Sequence, residues 1–211
     1  MHDDAPSAAP ATAGLVETST RLGRLRWMEL RLFEILGSWV PGTDEPEISA
    51  FLARTSYHHA WHADLWLEHL PTLWGEDAET LTSPGPGGAA LCDALTAGAT
   101  GSVERLVGTH RVVLPRLLIA YRSLVASVPV AAAGPLRRWS RLVIEDLRDD
   151  WATGEMLLQG LLDDDAALDR AHARHREIEG FATKAANDWT DVANLATLRR
   201  AAATGAGPGD P

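Results

Sequence analysis

The chain has little with which to build a disulfide, a strand or a membrane span. Among its 211 residues there is one cysteine, Cys92, and one lysine, Lys184. A lone cysteine excludes an internal disulfide framework and makes a thiolate metal site a poor expectation. It lies in a long connection with no evident base beside it, so a catalytic thiol is not expected either. With lysine nearly absent, arginine carries the positive charge, which reflects a GC-rich coding genome more than an activity. No apolar run reaches the roughly 18 residues that a membrane-spanning helix needs. No segment alternates polar and apolar residues over the length of a strand. Without strands there is no strand-loop-helix phosphate cradle, and "SPGPGGAA" at 83–90 reads as linker. No basic patch offsets the net charge of −10, so nucleic acid is not an expected partner. The opening "MHDDAPSAAPATAG" lacks the basic and apolar regions of a secretory signal, and the expected location is the cytoplasm.

What remains is an ordinary globular composition, 45% hydrophobic and 23% charged, in a length that suits one domain. Residues 1–17 and 202–211 are rich in small residues and are predicted as disordered tails. They flank a single helical domain over 18–201.

Four long segments carry helical periodicity, over about 20–40, 45–70, 101–127 and 134–162. The first stops at Pro41-Gly42. The second has Asp44 as its expected cap and Pro46 in its first turn. Ser102 is the expected cap of the third, and Pro115 should kink it. A polar fifth helix is predicted over about 165–186. The first two segments are joined by a short link, as are the third and fourth, so each pair should be antiparallel neighbours. About thirty residues between the pairs can cross the full length of a bundle.

Each apolar stripe has ionisable residues near its middle. In the first helix Glu29 is centred among Leu22, Leu25, Leu32, Phe33, Leu36 and Val40. In the second, His59 and His62 interrupt a stripe running from Ile48 and Phe51 to Trp66 and Leu70, with His58 at its margin and His69 further on. In the third, His110 and Tyr121 are inside the stripe. In the fourth, Leu142 and Met156 flank Asp149, with Glu145 and Asp146 one turn earlier. An unpaired buried carboxylate costs several kcal/mol. Four helices carrying such groups independently is a poor design; groups that meet, or share a cation, remove the penalty.

His59 and His62, at i, i+3, lie on one helical face and can reach one ion. Asp146 and Asp149 repeat that spacing. With Glu29 they form a mixed imidazole and carboxylate set that suits iron, manganese or zinc. His110 is a further candidate ligand or nearby base. Tyr121 is expected to line a pocket.

Helix order and these inward positions resemble the ferritin-like superfamily of carboxylate-bridged di-iron proteins, including its actinobacterial members. They are more distantly similar to phenylacetate-oxygenase subunits, one catalytic and one a scaffold. The resemblance covers about 20–162 and implies an all-α, ferritin-like four-helix bundle with one long crossover and an extra C-terminal helix. The family pattern is Glu on the first helix, Glu-x-x-His on the second, Glu on the third and Glu-x-x-His on the fourth. Glu29 and His62 match it. His59 stands where the second-helix Glu belongs, His110 where the third-helix Glu belongs, Asp146 for the fourth-helix Glu and Asp149 for its His. The resemblance implies a non-haem iron, O2-using oxidoreductase acting on a small organic molecule. Glu29, His59, His62, Asp146 and Asp149 would be its ligands for one or two ions, with His110 and Tyr121 at the reacting centre. Too few carboxylates remain for a typical bridged pair. The same set therefore also reads as a relic without metal, a buried histidine and carboxylate network in a scaffold. Trp27, Trp61 and Trp151 fall on outward faces; a homodimer or partner-protein surface would explain them, and so would cover by the crossover and the fifth helix. Iron storage is a third reading, weakened by the histidine-rich set.

Overall fold

A computed structural model of the chain describes residues 15–70, 77–85, 87–128 and 134–189. All regular structure among them is helical. The elements are α1 (Leu15–Trp39), α2 (Pro46–His69), α3 (Ala78–Leu81), α4 (Gly88–Ala97), α5 (Ser102–Leu106), a π-helical segment (Val107–Val113), α6 (Leu114–Ser127), α7 (Gly134–Leu161) and α8 (Asp165–Trp189). The four long predicted segments and the fifth helix are all present. α1 begins inside the segment expected as a tail. Residues 1–14 and 190–211 lie outside the described residues.

α1 and α2 make the most extensive helix pair, α6 lies on α7, and α7 also touches α2. The predicted neighbours are therefore neighbours. α8 packs on the π-helical segment and on α4. The crossover is not bare linker: it contributes α3 and α4, and α4 buries Leu91 and Leu95 in the common core. That core is aliphatic, with Leu32, Leu36, Leu52, Leu106, Leu114, Leu117, Leu147 and Leu158 fully shielded. Each such side chain contributes roughly 1.5–3 kcal/mol of apolar burial.

The helix starts differ in detail from expectation. Glu45, not Asp44, precedes α2, and Pro46 opens the helix, where a missing N–H leaves nothing unpaired. Gly101 precedes α5, so Ser102 is not its cap. The Ser102 hydroxyl donates instead to Glu45 Oε2 at 2.7 Å, tying the two helix starts together. Asp164 caps α8, its Oδ1 accepting from Ala167 N–H at 2.6 Å. Pro115 acts as predicted on the third segment, but the rod widens rather than breaks. The Leu114 N–H reaches back five residues to Thr109 O, forming the π-helical turns just before a residue with no N–H.

The phase of α7 corrects the sequence reading. Its buried residues are Ser140, Val143, Leu147, Asp150, Gly154 and Leu158. Leu142 and Met156, read as the inward stripe, are exposed. Asp149 turns outward with them and Asp150 takes the buried place. Phe33, assigned to the α1 stripe, is also exposed.

Candidate metal centre

Glu29 from α1 and His59 and His62 from α2 meet in the interior, all fully buried. One ligand atom from each lies within 4.8 Å of the others. α2 supplies both imidazoles because residues three apart share a face, and the packing of α1 on α2 brings Glu29 opposite them. Glu29 Oε2 accepts from His59 Nδ1 and lies 3.3 Å from His62 Nδ1. Its Oε1 accepts from the Tyr121 hydroxyl at 2.6 Å. Tyr121, on α6, in turn accepts from Trp66 Nε1 at 2.8 Å, and the two rings stack at 5.7 Å. On its other side His62 Nε2 is 3.2 Å from Asp146 Oδ2. A single hydrogen-bonded chain thus joins α1, α2, α6 and α7.

The electrostatics follow from this pairing. Burial pushes the Glu29 carboxyl up, but the charges and hydrogen bonds of His59 and His62 overcome it and hold the group at about 2. Burial likewise pushes His62 down, and Glu29 and Asp146 outweigh it, raising the imidazole to about 9. The hydrogen bond from His62 holds the Asp146 carboxyl below the usual range. Burial and the Glu29 charge push the Tyr121 phenol well above its usual value, so it stays a donor.

His110 is buried but outside the group of three donors. Its ring lies 4.8 Å from Phe51 and sits against Gly154. The Thr109 hydroxyl donates to Arg105 O at 2.7 Å, so its contact with His110 Nδ1 at 2.7 Å requires Nδ1 to be the donor. Burial and the nearby His59 charge lower His110 to about 3, and Nε2 is left as a bare acceptor without a partner. His59 Nε2 and Thr55 Oγ1 are also buried and unpartnered.

Asp149 is exposed and does not join the buried group. It lines a surface cleft of about 410 Å³ with Arg54, His58, Asp146, Asp150, Ala152 and Thr153. Asp150 binds His58 Nδ1 at 2.7 Å, so His58, read as marginal, has a buried carboxylate partner. The sequence reading missed Asp150. A second seven-residue spacing, Ser140-Leu147-Gly154, competes with Leu142-Asp149-Met156, and only the former puts small residues on the packed face. His69 is structural, bonded to Leu65 O at 2.8 Å and set edge-on against Trp139.

The donors fit one ion rather than a bridged pair. Glu29 is the only carboxylate in the buried triad, whereas two bridged ions need several. Two imidazoles and a carboxylate suit iron, and also manganese or zinc. No protein-family model, curated protein or solved structure matches the chain. No helix among the described residues is long and apolar enough to cross a membrane.

Proposed function

We propose that this helical domain has the ferritin-like architecture and holds one transition-metal ion on Glu29, His59 and His62. In this reading it works as a non-haem iron oxidoreductase on a small organic molecule. The observation that carries the proposal is the donor set: two histidines and one carboxylate, from two adjacent helices, sealed from water and mutually within reach. An iron ion there would supply redox chemistry with O2. Tyr121 holds one oxygen of Glu29 and keeps that carboxylate turned toward the histidines. Asp146 holds the far nitrogen of His62 and fixes the ring. The surrounding leucines exclude bulk water.

A second reading is a metal-free scaffold or partner-binding subunit, a homodimer among the possibilities. It is supported by the completeness of the network at Glu29, whose two oxygens both have hydrogen-bond partners. Trp61 and Trp151, both exposed, would carry the partner surface.

Elemental analysis of untagged protein, beside the His59→Ala/His62→Ala double variant, separates the two. About one equivalent of iron, manganese or zinc, lost in the variant, supports the metal centre. O2 consumption by the Fe(II)-loaded protein then tests the oxidoreductase. No metal in either protein favours the scaffold, which further requires Trp61→Ala or Trp151→Ala to disrupt assembly.

A further inference from the structure

An ion that reaches the buried triad has to pass a side chain that also meets solvent. Among the described residues, Asp146 is the one hydrogen-bonded to the triad that lines a surface recess. That recess is the cleft where α7 faces α2. Three carboxylates line it, Asp146, Asp149 and Asp150, together with Arg54 and His58. Asp149 is exposed, Asp146 is half-buried, and Asp150 is 1% exposed. Asp150 Oδ2 is satisfied by His58 at 2.7 Å. Its Oδ1 is buried without a hydrogen-bond partner, with the exposed Arg54 guanidinium 3.6 Å away, too far for a hydrogen bond. A buried carboxylate oxygen with no donor is costly and rarely kept without a use. Arg54 is its ion-pair partner there, and an arriving cation would compete with that exposed guanidinium for it.

We propose that this cleft is the cation port of the metal centre. A hydrated divalent transition-metal ion is attracted to Asp149 at the rim, meets Asp150 and Asp146 within, and reaches Glu29 past the edge of the His62 ring that Asp146 holds. Asp149 is the exposed member at the rim, and the half-buried Asp146 is the member that touches the triad. With three carboxylates against one guanidinium the cleft keeps a negative balance, and such a field draws in a cation and speeds association. The proposal rests on the metal-binding reading of Glu29, His59 and His62.

The test uses Co(II) alone, added to metal-free full-length protein. Uptake is followed by quenching of tryptophan emission, since the Trp61 ring lies 5.4 Å from His62 and Trp66 bonds Tyr121. Asp149→Lys reverses a charge at an exposed position, and Asp169→Lys makes the same change on the exposed surface of α8. Asp149→Lys is expected to slow uptake roughly three- to tenfold at low ionic strength. High salt should remove the difference, and the final stoichiometry should match wild type. Asp169→Lys should behave as wild type. Uptake by Asp149→Lys at the wild-type rate, with wild type binding one equivalent that the double histidine variant loses, overturns the port and leaves the metal centre standing. Failure of wild type to bind, or equal binding by the double histidine variant, overturns both.

Discussion

The Tyr121 hydroxyl donates to Glu29 Oε1 at 2.6 Å, between residues 92 positions apart in the chain. This bond fastens α6 to α1 across the core. Trp66 completes it by donating to the same phenol oxygen.

Tyr121→Phe removes that oxygen while keeping the ring. Two buried partners, Glu29 Oε1 and Trp66 Nε1, then lose their hydrogen bonds. Leaving such groups unsatisfied costs about 1–3 kcal/mol each. Urea unfolding of the variant should show a clear loss of stability with far-ultraviolet circular dichroism unchanged. A loss below about 0.5 kcal/mol would mean that the network relaxes around the missing hydroxyl.

The metal-free protein should be most stable near neutral to mildly acidic pH and lose stability on both sides. His62 is raised from 6.5 to about 9. A group raised on folding contributes fully below its unfolded value and loses that contribution as pH rises through the folded one. The alkaline limb therefore spans 6.5 to about 9. Glu29 is lowered from 4.5 to about 2, so its contribution is present above 4.5 and disappears as pH falls toward 2. His110, lowered from 6.5 to about 3, adds to the acid limb, because the buried neutral ring resists protonation. Urea midpoints measured across this range check the shape. In His62→Ala the alkaline limb should flatten; a limb that persists belongs to another group.

Two glycines of α7 should respond to alanine with opposite signs. In a helix interior Gly→Ala is ordinarily worth about 0.5–1 kcal/mol of added stability. Gly160, in the last turn of α7, has open space around it, and Gly160→Ala should show a gain of the same sign at or below the low end of that range. A Cβ on Gly154 would stand 2.6 Å from the His110 ring carbons. Gly154→Ala should instead destabilise by about 1–3 kcal/mol, since a packed ring has to move. Thermal melts of the two variants side by side decide it.

Cys92 should be inert in the folded protein. It is buried against Met28, with Sγ 3.9 Å from Sδ, and burial pushes the thiol up to about 12. A thiol reagent should label it only on unfolding. Rapid labelling under native conditions would place α4 loosely on the core.

Much of the fold was legible in the sequence because its signals are local. Pro46 opening α2, Pro41-Gly42 ending α1, and Pro115 distorting the third rod all act through the backbone of their own neighbourhood. The i, i+3 spacing of His59 and His62 set them on one face, and Glu29 at the centre of its stripe had to point inward. α7 was harder. Its residues repeat at seven in two phases, and the apolar Leu142 and Met156 suggested the wrong one. The packed face is marked instead by Ser140 and Gly154, whose small size matters only against a neighbour such as His110.

By itself, then, the sequence determined the long helices and their order and offered five candidate ligands, Glu29, His59, His62, Asp146 and Asp149, because periodicity and proline act locally. Tertiary structure alone decided the partners. It chose Asp150 over Asp149 for the interior, gave Tyr121 to Glu29 and Asp146 to His62, and left His110 with Thr109. Those choices depend on how one helix is rotated against the next, which is set by close packing between surfaces and not by any single stretch of chain.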